Sequence, residues 1–310
     1  MNKRERILAA CQAQPVDRVP YSLWYHFGLE PPAGEEMVRA ELDFYRRYDP
    51  DLFKIMHDIP YEMPPDLPRV QSAADWRRLP VLDGQSGNFG QQLAAIRQIR
   101  AQIGDDVPLV DTLFGVFATA QKLCGGRTLE FLRADPEATH AGLGQITVSL
   151  ANYARALIAN GGDGIYLAIS GADADTMEAG EYQKHFLTYD QHILDAARSG
   201  AVNVVHHHGR GIYADLILGL RGFQVYSWSN WLEGNPDIGA VRAKTGVCLM
   251  TGIDETTFGQ VSAEEIVRQG REAIAAVQGR GLILAPGCAV PTPPASPEAN
   301  LQAVRAAVAG

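Results

Sequence analysis

Eight short apolar runs alternate with amphipathic segments along this chain of 310 residues. The runs are almost continuously apolar, as in LILA at 282–285, which is typical of parallel strands covered on both faces. The segments between them carry helix start signals, such as Asp135 before Pro136. The predicted strands are 19–25, 52–56, 109–112, 165–169, 202–205, 223–227, 247–251 and 282–285. The main predicted helices are 35–48, 90–103, 136–160, 181–199, 237–244 and 263–277.

This order of elements predicts an α/β fold, a single-domain (β/α)₈ TIM barrel over residues 1–310. A doubly wound dinucleotide-binding sheet would need G-x-G-x-x-G after an early strand, and the sequence has none. In a TIM barrel the active site lies at the C-terminal ends of the strands. Polar residues that directly follow a predicted strand are therefore the first candidates for function.

The composition excludes several classes of protein. The net charge is −9, whereas a nucleic-acid binder needs a basic face for the phosphates. No apolar run reaches the ~18 residues of a membrane span, and the N-terminal stretch is too interrupted for a signal peptide. The four cysteines show no C-x-x-C spacing, which favours a reducing compartment. We therefore expect a cytoplasmic protein that acts on a small molecule.

Three consecutive histidines follow the predicted strand 202–205. Side chains alternate along an extended chain, so His206 and His208 should point to one side and His207 to the other. Cys288 follows the last predicted strand and should reach the same end of the barrel. Two imidazoles and one thiolate would bind zinc with a fourth position open, as in catalytic zinc sites. Hydrogen-bonding histidines and a buried, inert cysteine are the alternative interpretation.

Other polar and aromatic residues also follow predicted strands. Aspartate and histidine side chains there could carry protons, and aromatic rings could bind a flat ligand. Ordinary rim residues, a core tryptophan or helix caps would give the same pattern. The candidate catalytic residues are His57, Asp58 and Asp254, with Glu255 beside it, and the candidate substrate-binding residues are Tyr25, His26 and Trp228.

At these residues the chain resembles the uroporphyrinogen decarboxylase superfamily. The similar segments are RERILAACQAQPVDRVPYSLWYHFG at 4–28, the stretch 161–169, VVHHHG at 204–209 and APGCAVPTPPASPEANLQAV at 285–304. They occur in the family's order and cover essentially the whole chain. The resemblance implies a (β/α)₈ barrel. It leaves the reaction open, because the superfamily contains metal-free decarboxylases and zinc-dependent methyltransferases.

The methyltransferase branch transfers methyl groups between a corrinoid and a thiol such as coenzyme M. Its motif is His-x-Cys-Gly after one strand, with a second Cys after the last. His206, Gly209 and Cys288 match this pattern, while His208 stands at the position of the first Cys. The change keeps an atom that binds zinc but removes one thiolate, so the resemblance implies an acceptor that need not be coenzyme M.

The decarboxylase branch binds a porphyrinogen with eight carboxylates and carries an arginine-rich run after its first strand. The matching stretch here, WYHFGLEPP at 24–32, has no arginine, although Arg pairs carboxylates best. Asp58 occupies a place similar to that of the family's catalytic aspartate. The resemblance therefore does not predict true uroporphyrinogen decarboxylase activity.

Three functions follow as hypotheses. The first is a zinc-dependent methyltransferase that uses a methyl-corrinoid or related donor, free or on a corrinoid protein, and a thiol-like acceptor. The second is a metal-free decarboxylase that uses Asp58. The third is a non-catalytic protein that binds a corrinoid or tetrapyrrole. The second predicts an activity that survives chelation, and the third predicts binding of cobalamin without turnover.

Overall fold

The computed structural model describes residues 1–309 and contains one parallel sheet of seven strands, paired in chain order. Every neighbouring pair is parallel, and the sheet curls so that its first and last strands approach each other. The strands are β1 (Phe53–Ile55), β2 (Leu109–Phe114), β3 (Gly164–Ile169), β4 (Val204–His207), β5 (Val225–Trp228), β6 (Cys248–Ile253) and β7 (Leu282–Pro286). Seven of the eight predicted strands are thus confirmed.

Helices connect the strands and cover the outer face of the sheet. They are α1 (Lys3–Cys11), α2 (Gly34–Tyr48), α3 (Ala73–Trp76), α4 (Gly87–Ile103), α5 (Val116–Cys124), α6 (Thr128–Ala134), α7 (Pro136–Ala159), α8 (Ala179–His185), α9 (Leu187–Ala196), α10 (Ala214–Leu218), α11 (Ile238–Arg242), α12 (Ala263–Ala276) and α13 (Glu298–Val308). No helix within residues 1–309 combines the length and apolar character needed to cross a bilayer.

The helix predicted at 181–199 is in fact two helices, α8 and α9. The break lies at Phe186, whose backbone leaves the helical region at φ −128° and ψ −33°. Its ring is fully buried and packs edge-on against Phe117 at 5.0 Å between ring centroids. Burial of this ring therefore accompanies the change of direction.

The predicted strand 19–25 is reduced to a single bridge between Tyr21 and Leu284 of β7. The amide of Leu284 donates to the Pro20 carbonyl at 2.8 Å, and the amide of Ser22 donates to the Leu284 carbonyl at 2.9 Å. Pro20 has no N–H to extend this ladder. The predicted α/β barrel is therefore confirmed as a curled parallel sheet, but the predicted eighth strand and full closure are not found. The sheet is a curled, barrel-like parallel sheet that is not fully closed.

A buried carboxylate helps to hold the two edges of the sheet together where strand pairing is incomplete. Asp51 is fully buried just before β1, and its oxygens accept from Arg6 at 2.7 Å and from Arg18 at 2.6 Å. The same carboxylate accepts from the backbone amide of Tyr21 at 3.0 Å. The Asp51 backbone amide donates to the Tyr21 carbonyl at 2.9 Å. Side-chain bonds thus replace part of the missing strand ladder.

Two hydrophobic clusters surround the sheet. The inner cluster contains alternate strand residues such as Val110, Tyr166 and Met250, together with Ile7 and Ala10 of α1. The outer cluster lies between the strands and the helices. Each strand therefore sends alternate side chains inward and outward, and this parity decides which residues can reach the barrel interior.

Replacing Asp51 by Ala should lower the free energy of unfolding by about 3–5 kcal/mol, because it leaves two arginines without their buried partner. Urea denaturation of the variant would measure the change. Glu272→Ala is the control, because its partner Arg268 is solvent-exposed, and it should leave the urea midpoint unchanged. If the urea midpoint of Asp51→Ala equals that of the wild type, the bridge at Tyr21 holds the edges of the sheet together without Asp51.

Candidate metal centre

A cavity of about 360 Å³ opens at the C-terminal ends of the strands. His206, His208 and Cys288 line it, and their potential ligand atoms all lie within 4.8 Å of one another. The Cys288 Sγ lies 3.7 Å from Nδ1 of His208. The structure thus brings together three side chains that the sequence predicted at the ends of two different strands. We call this space the histidine–cysteine cavity.

His206 is held by its neighbours in an orientation suited to a ligand. Its Nδ1 lies 3.2 Å from the Ser227 hydroxyl, and its ring stacks on Tyr166 at 5.3 Å between centroids. Its buried Nε2 has no hydrogen-bond partner among the described residues. Burial also lowers the pKa of His206, which favours the neutral imidazole. A buried, neutral nitrogen without a partner is what a metal ion requires.

The pKa of the Cys288 thiol lies below its ordinary value. Burial alone would raise it, but the neighbouring His206 imidazole and the backbone at Ala289 together lower it overall. A thiol with a lowered pKa gives up its proton more readily, and the thiolate is the form that binds a metal.

Gly287 allows close packing behind Cys288. A Cβ at this position would lie 2.5 Å from Oε2 of Glu255 and 2.5 Å from the Cα of Ser229. Glu255 is buried, and burial raises its pKa. The candidate thiol therefore sits on a segment that fits only because residue 287 lacks a side chain.

His207 points to the opposite face, as the alternation predicted. Its Nδ1 lies 3.0 Å from the Tyr226 hydroxyl and its Nε2 lies 2.9 Å from the carbonyl of Ala172. Burial lowers its pKa to about 4. Both ring nitrogens are occupied, so His207 serves the packing of the sheet against its helices.

A second cavity of about 400 Å³ adjoins the first, and we call it the Asp58 cavity. The two share lining residues, among them His26 and Lys122. Oδ1 of Asp58 lies at hydrogen-bond distance, 2.9 Å, from Nδ1 of His26. Partial burial would raise the pKa of Asp58, but the bond to His26 lowers it overall. His26, His57 and Asp58 thus lie together at this cavity, as expected for strand-end residues.

His57 is oriented by a buried aspartate that the sequence reading did not single out. Its Nδ1 lies 2.9 Å from Oδ2 of Asp111 in β2. Asp111 also accepts from the hydroxyl of Tyr153 at 2.6 Å and from the amide of Gln92 at 2.9 Å. Asp111 accepts from its other two neighbours, so Nδ1 of His57 is assigned as the donor and Nε2 is left for a ligand in the cavity.

The family comparison covers most of the chain. The family model described as uroporphyrinogen decarboxylase (URO-D) matches residues 32–310. The chain belongs to the uroporphyrinogen decarboxylase family.

Individual members of this family resemble the chain only in part. Methylcobamide:CoM methyltransferase MtbA of Methanosarcina acetivorans is 27% identical over 138 residues, which cover 44% of this chain and 41% of MtbA. A uroporphyrinogen decarboxylase of Idiomarina loihiensis is 28% identical over 203 residues, covering 53% and 56%. The chain thus aligns with about half or less of the length of these relatives.

Solved structures support the fold. A methyltransferase from Methanosarcina mazei superposes with a TM-score of 0.77 at 20% identity, covering 99% of this chain and 98% of its own. A putative vitamin-B12 independent methionine synthase from Listeria monocytogenes gives 0.53 at 12% identity, with 96% of both chains covered. At these identities the similarity establishes the architecture and not the reaction.

Four of the predicted site residues do not line either cavity, and one of them, Glu255, packs behind Gly287. Tyr25 packs edge-on against Phe44 of α2 at 5.2 Å between centroids. Trp228 is fully buried in the outer cluster, where its indole N–H donates to the carbonyl of Pro236 at 2.9 Å. Asp254 accepts from the side chains of Thr256 and Thr257 at 2.6 and 2.7 Å. Tyr25 and Trp228 thus point away from the cavities, and Asp254 stabilises a turn.

Other residues line the histidine–cysteine cavity without having been predicted. They include Trp24, Lys54 and Tyr166. Lys54 is a charged residue in an otherwise apolar strand, which was the available sequence signal. Burial lowers its pKa to about 8. Trp24 and His26 both line the cavity, and Tyr25 between them points away from it. The prediction of Tyr25 as a substrate-binding residue was therefore wrong by one position along the chain.

Gly287→Ala should weaken metal binding, because the added methyl group would clash with backbone atoms and displace Cys288. We expect about a 10- to 100-fold loss of zinc affinity, similar to the loss of an outer hydrogen-bond partner. Competition with a chromophoric chelator measures it. Gly180→Ala in α8, where a Cβ meets nothing within 4 Å, is the control. Equal affinities in both variants would contradict the packing argument.

Proposed function

We propose that this chain is a zinc-dependent methyltransferase that passes a methyl group from a methyl-corrinoid or related donor to a thiol-like acceptor. The observation that carries the proposal is the set of two imidazoles and one thiol within 4.8 Å, with the buried Nε2 of His206 unpartnered. Nitrogen and sulfur donors of this kind suit zinc better than magnesium or calcium. The family relationship to a methylcobamide:CoM methyltransferase points to the same class of reaction.

The residues present fit a zinc ion. His206, His208 and Cys288 would hold it, which leaves one position for a ligand. Zinc in such a site acts as a Lewis acid that stabilises a thiolate at neutral pH. His208 replaces a cysteine of the related motif, so the site carries less negative charge than one with two thiolates.

The chain's own residues would prepare the acceptor. Ser227 holds the His206 ring, and the buried rings of Trp24 and Tyr166 keep water from the cavity wall. The acceptor thiol must lose its proton. Our candidate for the base that accepts this proton is Nε2 of His57 in the adjoining cavity. The thiolate sulfur then forms a bond to the methyl carbon, and the electron pair of the cobalt–carbon bond stays with the corrinoid.

A decarboxylase remains the second candidate, because Asp58 lines a cavity together with His57 and His26. The carboxylate of Asp58 is held by His26 and ionised near neutral pH, since its pKa is lowered. Such a group could bind a cationic or N–H portion of a substrate without a metal. Asp254 has no part in either proposal, because its oxygens are taken up by neighbouring threonines.

Protein purified without added zinc should contain close to one zinc ion per chain by plasma mass spectrometry. His206→Ala, His208→Ala and Cys288→Ser should each lose it, because each removes one donor atom. The exposed His192 provides the control His192→Ala, which should keep the metal. Wild-type protein that neither contains zinc nor binds it on addition would refute the proposed mechanism.

Turnover separates the two candidates. With methylcobalamin and a thiol, the wild type should change the cobalamin spectrum, and exhaustive chelation should abolish this change. Asp58→Asn should leave metal content intact. A decarboxylation that survives chelation but is lost in Asp58→Asn would support the second candidate against the first.

A further inference from the structure

Lys54 is a buried amine in the wall of the histidine–cysteine cavity. Its side chain belongs to β1 and is 3% exposed. Its Nζ donates a hydrogen bond to the thioether sulfur of Met56 at 3.1 Å, and this sulfur is a weak acceptor without charge. An ammonium loses its hydration in the protein interior, so burial beside such an acceptor favours the neutral amine.

Four acidic groups surround Lys54 and act on it through their charge. These groups are Glu41, Asp58, Asp111 and the thiol of Cys288. The three carboxylates have other partners, because Glu41 accepts from the amide of Met56 and histidine rings hold the two aspartates. All four groups raise the pKa of Lys54, but burial has the larger effect and lowers it to about 8. A substantial fraction of this amine is therefore neutral near physiological pH.

Two aromatic rings fix the position of the amine. The Nζ lies 5.1 Å from the ring centroid of Trp24 and 4.7 Å from that of Tyr166. The hydroxyl of Tyr166 is buried and has no hydrogen-bond partner among the described residues. A phenol can donate to an oxygen atom that develops beside the amine. The two ring faces would also stabilise the positive charge of a protonated imine.

We propose that the Nζ of Lys54 is a nucleophile that forms an imine with a small aldehyde or ketone bound in the histidine–cysteine cavity. The nitrogen lone pair attacks the carbonyl carbon to give a carbinolamine. The two amine hydrogens then leave with the former carbonyl oxygen as water, and the carbon–nitrogen double bond forms. Neither an oxidant nor a reductant is consumed. Desolvated lysines in apolar pockets provide this chemistry in enzymes.

The cavity favours a small carbonyl compound with an apolar body. Its volume of about 360 Å³ lies at the low end for ligand pockets. Phe114, Ala118 and Ala168 form part of its wall, and no carboxylate is found among the described residues that line it. Imine formation needs no metal ion and is therefore independent of the proposed function.

Reductive trapping tests the proposal on the full chain as purified, with butanal and sodium cyanoborohydride at pH 7. Cyanoborohydride reduces an imine and leaves a butyl group on the lysine that formed it. Peptide mass spectrometry then measures the labelling rate of each lysine separately. Lys54 should be labelled at least about 10-fold faster than the exposed Lys184. A pKa near 8, instead of the ordinary ~10.4, gives on the order of 100-fold more neutral amine, and burial slows access.

Three variants assign the label. Lys54→Arg keeps the positive charge but cannot form an imine, so it should lose the fast label. Lys122→Arg is the matched control, because it removes the other lysine of the same cavity, and it should keep the fast label on Lys54. Tyr166→Phe should slow the labelling of Lys54 about 3- to 10-fold, the effect of one neutral hydrogen bond, and an unchanged rate would remove the hydroxyl from the proposal. If Lys54→Arg does not fold, the comparison of Lys54 with Lys184 in the wild type still decides.

Two results would overturn the assignment. One is a wild type in which Lys54 is labelled no faster than Lys184. The other is fast labelling that maps to Lys122 or to the N-terminal amine instead of Lys54. Fast labelling of Lys54 in protein that cannot bind zinc would retain the amine site and remove only the proposed function. Zinc-containing protein without this label would do the reverse.

Discussion

The closure of the curled sheet at residues 20–22 is the constraint on which the site depends. The candidate metal ligands come from the ends of β4 and β7, and they can meet only if the sheet bends enough to face its own edge. A regular eighth strand is missing at this edge, where the bridge of Tyr21 to Leu284 is flanked by the buried Asp51 carboxylate. The charged hydrogen bonds of Asp51, just before β1, thus help to hold the two edges of the sheet together.

Strand parity then decides the composition of the interior. The inward positions Lys54 on β1 and Met56 just after it, Tyr166 and Ala168 on β3, and His206 on β4 all line one cavity. Their neighbours point to the helices, where His207 and Asp111 make hydrogen bonds in the outer layer. The same rule therefore yields a cavity with nitrogen and sulfur donors and a separate outer network that orients His57.

Much of the site could be predicted because it depends on local rules. Histidines directly after a strand alternate in direction, and a cysteine after the last strand reaches the same rim, so His206, His208 and Cys288 could be named from the sequence. The prediction of Trp228 as a substrate-binding residue was wrong, although the same alternation of side chains applies to its strand. The preceding residue, Ser227, contacts His206 and occupies the inward position, so Trp228 points outward.

Asp111 could not be recognised, because its partners Gln92 and Tyr153 lie on distant helices. The helix α5 was missed because the apolar sequence of β2 continues into it without a change in composition.

The two adjoining cavities separate two kinds of chemistry within one family fold. The soft donors line one cavity, and Asp58, the acidic residue with a metal-free role in the second candidate, lines the other. Carboxylates favour hard cations and would repel an anionic ligand, and none lies in the described wall of the first cavity. The two proposed functions therefore draw on different cavities: the methyl transfer on the nitrogen and sulfur donors, and the decarboxylation on Asp58.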